Sequence, residues 1–134
     1  MIAVDSSVVV AGLASWHEAH VPTRAALARK PRLPAHVALE AYSVLTRLPP
    51  PHRFAAGLVE ALLAAHFSEP PLTLPGRQQT ALIELAVEAG VTGGAIYDAL
   101  VAATAKHAGA TLLTRDRRAR TIYEVVGVSF ELVA

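Results

Sequence analysis

The chain has 134 residues, 53% of them apolar, with no cysteine and a formal net charge of +1. That length suits one domain, 1–134, and the apolar share can fill its core. The missing cysteines exclude disulfides and thiolate metal sites, and the small net charge excludes a strong whole-molecule pull on nucleic acid.

No apolar run reaches the roughly 18 residues of a membrane span. Asp5, Glu40, Glu60, His66 and Asp98 interrupt every stretch of this kind. The apolar segment Val8 to Leu13 follows Asp5 with no Lys or Arg before it, the wrong order for a secretory signal. A cytoplasmic location is the expectation.

Met1-Ile2-Ala3-Val4 reads as a short buried strand, and Asp5-Ser6-Ser7 supplies capping side chains for a helix through Leu13. A second helix is expected from about His17 to Ala28, with Pro22 near its start. Pro31 and Pro34 bracket a second strand at Arg32-Leu33. Val37, Ala41, Val44, Leu45 and Leu48 keep helical spacing, so an amphipathic helix is expected over about 36–48, stopped by Pro49-Pro50-Pro51. The next helix, about His52 to Phe67, carries apolar residues on more than one face. That excess matches burial against a partner or deep packing. Leu72-Thr73-Leu74 is a third strand, and Gln78 to Ala89 a helix closed by Gly90. Gly93-Gly94 opens a helix over about Ala95 to His107. Thr111 to Thr114 is a fourth strand, Arg117 to Val126 is helical or turn-like, and Val128 to Leu132 is the last strand. Strands alternating with helices predict an α/β domain with a mostly parallel sheet.

The chain has only three aspartates, Asp5, Asp98 and Asp116. Asp5 and Asp116 follow strands, and ligands of open parallel sheets bind beyond the carboxyl ends of strands. Asp98 lies in the first turn of an alanine-rich helix, and Glu40 sits at the margin of an apolar helix face. Each has an ordinary structural use when taken singly. Asp5 can cap a helix, Asp98 can meet a helix dipole, Asp116 can form a turn, and Glu40 can be solvated or pair with Arg47. Together they form an oxygen-only set, which selects Mg²⁺ or Mn²⁺ over zinc.

The stretch Met1-Ile2-Ala3-Val4-Asp5-Ser6-Ser7 resembles the opening of PIN domains. Glu40 within Ala38-Leu39-Glu40-Ala41, Asp98 within Ile96-Tyr97-Asp98-Ala99-Leu100, and Asp116 within Leu113-Thr114-Arg115-Asp116 fit the later motifs of that family. Size and layout look most like VapC toxins of toxin–antitoxin pairs. The resemblance implies a PIN-like three-layer fold with a five-stranded parallel sheet ordered 3-2-1-4-5. It implies an endoribonuclease that hydrolyses RNA by Mg²⁺-activated water, with Mn²⁺ as a possible substitute. Asp5, Asp98, Asp116 and Glu40 would form the catalytic and metal-binding set, with Ser6 and Thr114 as supporting hydroxyls. It also implies homodimers and a VapB-type antitoxin. Ser6 stands where threonine is commoner in the family.

Arg115, Arg117, Arg118 and Arg120 crowd around Asp116, where they suit phosphate contacts or a solvated helix start equally. Trp16 suits packing or base stacking. Two other classes compete. A haloacid-dehalogenase-like phosphatase would use Asp5 as nucleophile, but it needs a second Asp two residues on, where Ser7 stands. A non-catalytic RNA- or protein-binding PIN module would not need the full acidic set.

Overall fold

A computed structural model describes residues 1–134. Its elements are β1 (Ile2–Val4), α1 (Ser6–Leu13), α2 (His20–Ala28), α3 (Ala35–Arg47), α4 (Ala56–His66), α5 (Gly76–Ala89), α6 (Ala95–His107), β2 (Thr111–Thr114), α7 (Arg120–Val126) and β3 (Phe130–Leu132). A 3₁₀ turn, Arg117–Ala119, precedes α7.

The sheet is parallel and has three strands in the order β1-β2-β3. Val4 pairs with Leu113, and Leu112 pairs with Phe130. Ala3, Val4, Leu112 and Leu113 are fully buried, as befits strands covered on both faces.

The expected five strands are not all present. Arg32 meets Ala3, and Pro34 meets Leu72, through isolated parallel bridges only. The physical reason lies in the prolines. Pro31, Pro34, Pro70, Pro71 and Pro75 have no N–H to give, so neither segment extends a ladder beyond a few bonds. The bonds that do form are good, with Arg32 N–H donating to Ile2 O at 2.8 Å and Leu72 N–H to Leu33 O at 2.9 Å.

Helix boundaries follow local chemistry. Asp5 caps α1 by accepting from the N–H groups of Ser7 and Val8. The α2 helix starts at His20 rather than His17, because the His17 ring nitrogen accepts the Ala19 N–H at 3.0 Å and holds a turn there. Pro22 then falls in the first turn, where its missing N–H costs nothing. The α3 stripe is Val37, Ala41 and Leu45, all fully buried. Gly90 ends α5 and Gly127 ends α7, both in the left-handed region. At Gly12 a Cβ would meet Leu27 Cδ1 at 2.5 Å, so any larger residue there would force the Leu27 side chain to move.

Packing joins the helices in two sets. The α1 helix packs on α2 and α3, and α3 on α4. The α6 helix packs on α5 and α7. Contact between α3 and α6 links the sets, and it brings the helix of Glu40 against that of Asp98. The α4 helix buries only Val59 completely, and Leu58 stays 50% exposed, so its apolar surface is not consumed within the chain. No helix is long and apolar enough to cross a membrane.

Candidate active site

Asp5 stands at the carboxyl end of β1 and is buried. Burial raises its proton affinity, and a dense set of donors opposes that rise. Ser7 Oγ, Ser7 N–H and Val8 N–H donate to Oδ1. Thr114 Oγ1 and Tyr123 Oη donate to Oδ2, the latter at 2.7 Å. Thr114 Oγ1 also accepts the Asp116 N–H at 3.0 Å, so one hydroxyl ties the ends of β1 and β2 together.

Asp116 caps the 3₁₀ turn, with Oδ1 accepting from the N–H groups of Arg118 and Ala119 at 2.9 and 3.3 Å. Its second oxygen is free of this work. Glu40 is half-buried; its Oε1 lies 3.2 Å from His36 Nε2 and its Oε2 3.5 Å from Ser6 Oγ. It does not pair with Arg47, which turns to Ser43 Oγ at 3.1 Å.

Asp98 reveals the convergence. Its carboxyl is pushed up to about 6, first by desolvation, then by the negative charges of Asp116, Glu40 and Asp5. Glu40 is likewise raised, by burial and then by Asp5, against the opposing influence of His36. Like charges shift one another only when they share a space. The structure therefore places Asp116, Glu40 and Asp5 within electrostatic reach of Asp98.

As the side chains stand, no three of them form a group close enough to hold an ion. The donor set fits a hard divalent cation in charge and in atom type. Its spacing is wider than ligation requires. The surroundings of Asp98 supply charge but no hydrogen bond.

Three residues escaped the sequence reading. Ser7, not Ser6, holds Asp5, and its Oγ also accepts the Arg115 N–H at 2.8 Å. His36 was discoverable, because it sits one helical turn before Glu40. Tyr123 was half discoverable: a tyrosine in a buried helix needs a partner for its hydroxyl, but nothing local names Asp5. Burial and the Asp5 charge hold the Tyr123 phenol well above the ordinary tyrosine range, so it stays protonated and donates to Asp5. Tyr123→Phe is expected to destabilise the protein by about 1.5–3 kcal/mol, the usual worth of a hydrogen bond to a charged group. Urea unfolding checks this, with a lower midpoint at unchanged slope. A midpoint equal to that of the wild type would remove Tyr123 from the support of Asp5.

The arginines divide. Arg117 and Arg118 are exposed beside Asp116, whereas Arg115 is partly buried with an unpartnered Nε. Trp16 is 46% exposed and packs against His52 with ring centroids 4.2 Å apart, away from the acids in sequence and contact. The largest cavity, about 710 Å³, lies beside Ile2, Lys30 and Arg32 at the amino end of β1, not at the acids.

A parallel sheet with acids gathered past its strand ends defines a class, and comparison with known proteins names it. A family model described as PIN domain matches residues 2–125, and the chain belongs to that family. Within the family it is VapC-like. It is 55% identical over 133 residues to Ribonuclease VapC40 of Mycobacterium tuberculosis, covering 99% of each chain. It is 42% identical over 134 residues to Ribonuclease VapC27 of the same species, covering 99% of this chain and 97% of the relative.

Proposed function

We propose that this protein is a Mg²⁺-dependent endoribonuclease, the toxin of a VapBC-type toxin–antitoxin pair, acting in the cytoplasm as a single PIN-like nuclease domain over 1–134. The observation that carries this reading is the 55% identity over the whole chain to Ribonuclease VapC40, and Asp98, raised first by burial and then by three neighbouring carboxylates, accords with it. The names of the relatives support ribonuclease chemistry. The bridged segments at Arg32–Pro34 and Leu72 support a five-stranded 3-2-1-4-5 sheet shortened by proline.

In this reading Asp5, Asp98, Asp116 and Glu40 hold the cation. When bound, Mg²⁺ supplies positive charge to the scissile phosphate and lowers the pKa of a water. Asp5 is the fixed member, since its donors leave it no other orientation. Glu40, whose Oε2 lies 3.5 Å from Ser6 Oγ, would accept the proton of the attacking water. Ser6 and Thr114 orient Glu40 and Asp5. Arg117 and Arg118 meet backbone phosphates without reading sequence, and Arg115 contributes from a more buried position. A homodimer and a VapB-type antitoxin would cover the apolar surface left by α4. A phosphatase using Asp5 as nucleophile fits poorly, because Ser7 stands where that chemistry needs a second Asp.

Incubation with total RNA tests the reading. Cleavage is expected with Mg²⁺ and none with EDTA, and mapped ends give the target. RNA left intact by an Mg²⁺-loaded, folded protein would sink it. Mg²⁺ should also stabilise the native state, by about 2.7 kcal/mol at a hundredfold excess over Kd, or roughly 10 °C in melting temperature. A flat thermal-shift curve up to millimolar Mg²⁺ would contradict cation binding.

A further inference from the structure

Tyr97 precedes Asp98 in α6 and is 53% exposed. Its ring is stacked on His36, with centroids 5.1 Å apart and planes 8° from parallel. His36 in turn contacts Glu40. The aromatic pair is thus continuous with the acidic cleft through both of its members. Beside Tyr97, between α5 and α6, lies a cavity of about 370 Å³. Tyr97, Ile83, Ile96 and Leu100 give it apolar walls, and Thr80 and Gln79 add polar edges. The Gln79 amide donates one N–H to Leu74 O at 2.9 Å, which leaves its other N–H as a donor and its carbonyl oxygen as an acceptor. His36 does not line this cavity, so Tyr97 stands between the histidine and the open space.

A flat, exposed aromatic face beside an apolar slot is the arrangement that takes an unstacked base of single-stranded RNA. We propose that this slot is a nucleobase subsite. Tyr97, braced from behind by His36, stacks on the base of a nucleotide flanking the scissile phosphate, and Thr80 and Gln79 face its polar edge. The inference rests on the ribonuclease reading. It adds a positioning and specificity element that the acids cannot provide, since carboxylates repel the backbone and read no base. The exposed apolar residues Ile83 and Val87 on α5 raise one rival, a second copy of the chain seated over the same slot.

The test uses an oligoribonucleotide carrying a mapped cut site, and a second oligonucleotide with an abasic residue at the flanking position. Binding is read by fluorescence anisotropy in the Asp98→Asn protein, which is expected to hold RNA without cutting it. Tyr97→Ala is expected to weaken binding of the intact RNA about tenfold, within the range for loss of one stacked base. Tyr97→Phe should restore it, because stacking needs the ring and not the hydroxyl. The abasic RNA should bind about tenfold more weakly to the Tyr97 protein and no more weakly still to Tyr97→Ala. Equal loss of intact and abasic RNA on Tyr97→Ala would overturn the subsite. So would a change of oligomeric state in Tyr97→Ala on size exclusion without any sensitivity to the abasic residue, which would assign the slot to a second copy. If the wild type cuts no RNA at all, the ribonuclease reading fails first; cutting by the wild type with abasic-insensitive binding sinks this inference alone.

Discussion

Asp98→Asn is expected to abolish RNA cleavage while making the metal-free protein more stable. The two effects share one cause. Asp98 is pushed up to about 6 by burial and by Asp116, Glu40 and Asp5, whereas the unfolded side chain titrates near 3.9. The folded state therefore binds the proton more tightly. Its contribution is fully favourable below about pH 4 and is lost as pH rises through about 6. The full shift corresponds to about 3 kcal/mol, but Asp98 is half-exposed and water screens it, so about 1 kcal/mol is the realistic gain from neutralisation. In EDTA near pH 7 the variant should melt roughly 3–5 °C above the wild type, and the gap should narrow as pH falls toward 4. Saturating Mg²⁺ should reverse the order, because only the wild type keeps its full set of acids. Cleavage should drop by about a thousandfold or more, since a charge that organises the reacting centre is gone. Melting below the wild type in EDTA, or cleavage at an undiminished rate, would contradict the convergence of charge at Asp98.

Asp5→Ala is expected to behave in the opposite way and to cost much of the native stability. Asp5 caps α1, and loss of a cap costs about 1 kcal/mol. It also accepts from Thr114 and Tyr123, both buried, and each hydroxyl left without an acceptor costs about 1–3 kcal/mol. Relief of the buried carboxylate offsets part of this. The net loss is on the order of 3–5 kcal/mol, against a total stability of about 5–15 for domains of this kind. Calorimetry should show a melting point at least about 10 °C lower. Asp5→Asn keeps one acceptor oxygen and should fall between the two. A variant with alanine at position 5 that melts like the wild type would show that the donors around Asp5 have found other partners. For this reason lost cleavage in Asp5→Ala says little about metal binding, whereas lost cleavage in a stabilised Asp98→Asn says a great deal.

Much of the fold was legible along the chain. The α3 stripe of Val37, Ala41 and Leu45, the glycines after α5 and α7, and the Asp5 cap are all local signals, and the helices lie close to where those signals place them. The errors were also local in kind. The ring of His17 competes for the Ala19 N–H and delays α2, and prolines at both bridged segments thin a five-stranded expectation to three strands. Proline removes a donor whatever its neighbours prefer.

The site was legible in its membership and not in its wiring. Three aspartates in an alanine-rich chain, two of them after strands, marked Asp5, Asp98 and Asp116. Which serine holds Asp5 depended on the phase of α1, a matter of about 100° of helical rotation, and it fell to Ser7 while Ser6 turned to Glu40. That Tyr123 reaches Asp5 from 118 residues away depended on α7 packing against α6. The sequence by itself determined the chemical type of the site, because oxygen donors and their order are written in residue identity. Only the tertiary structure decided that Asp116, Glu40 and Asp5 add to the proton affinity of Asp98, because electrostatic coupling depends on distance in space, and packing of α3 against α6 brings Glu40 near Asp98.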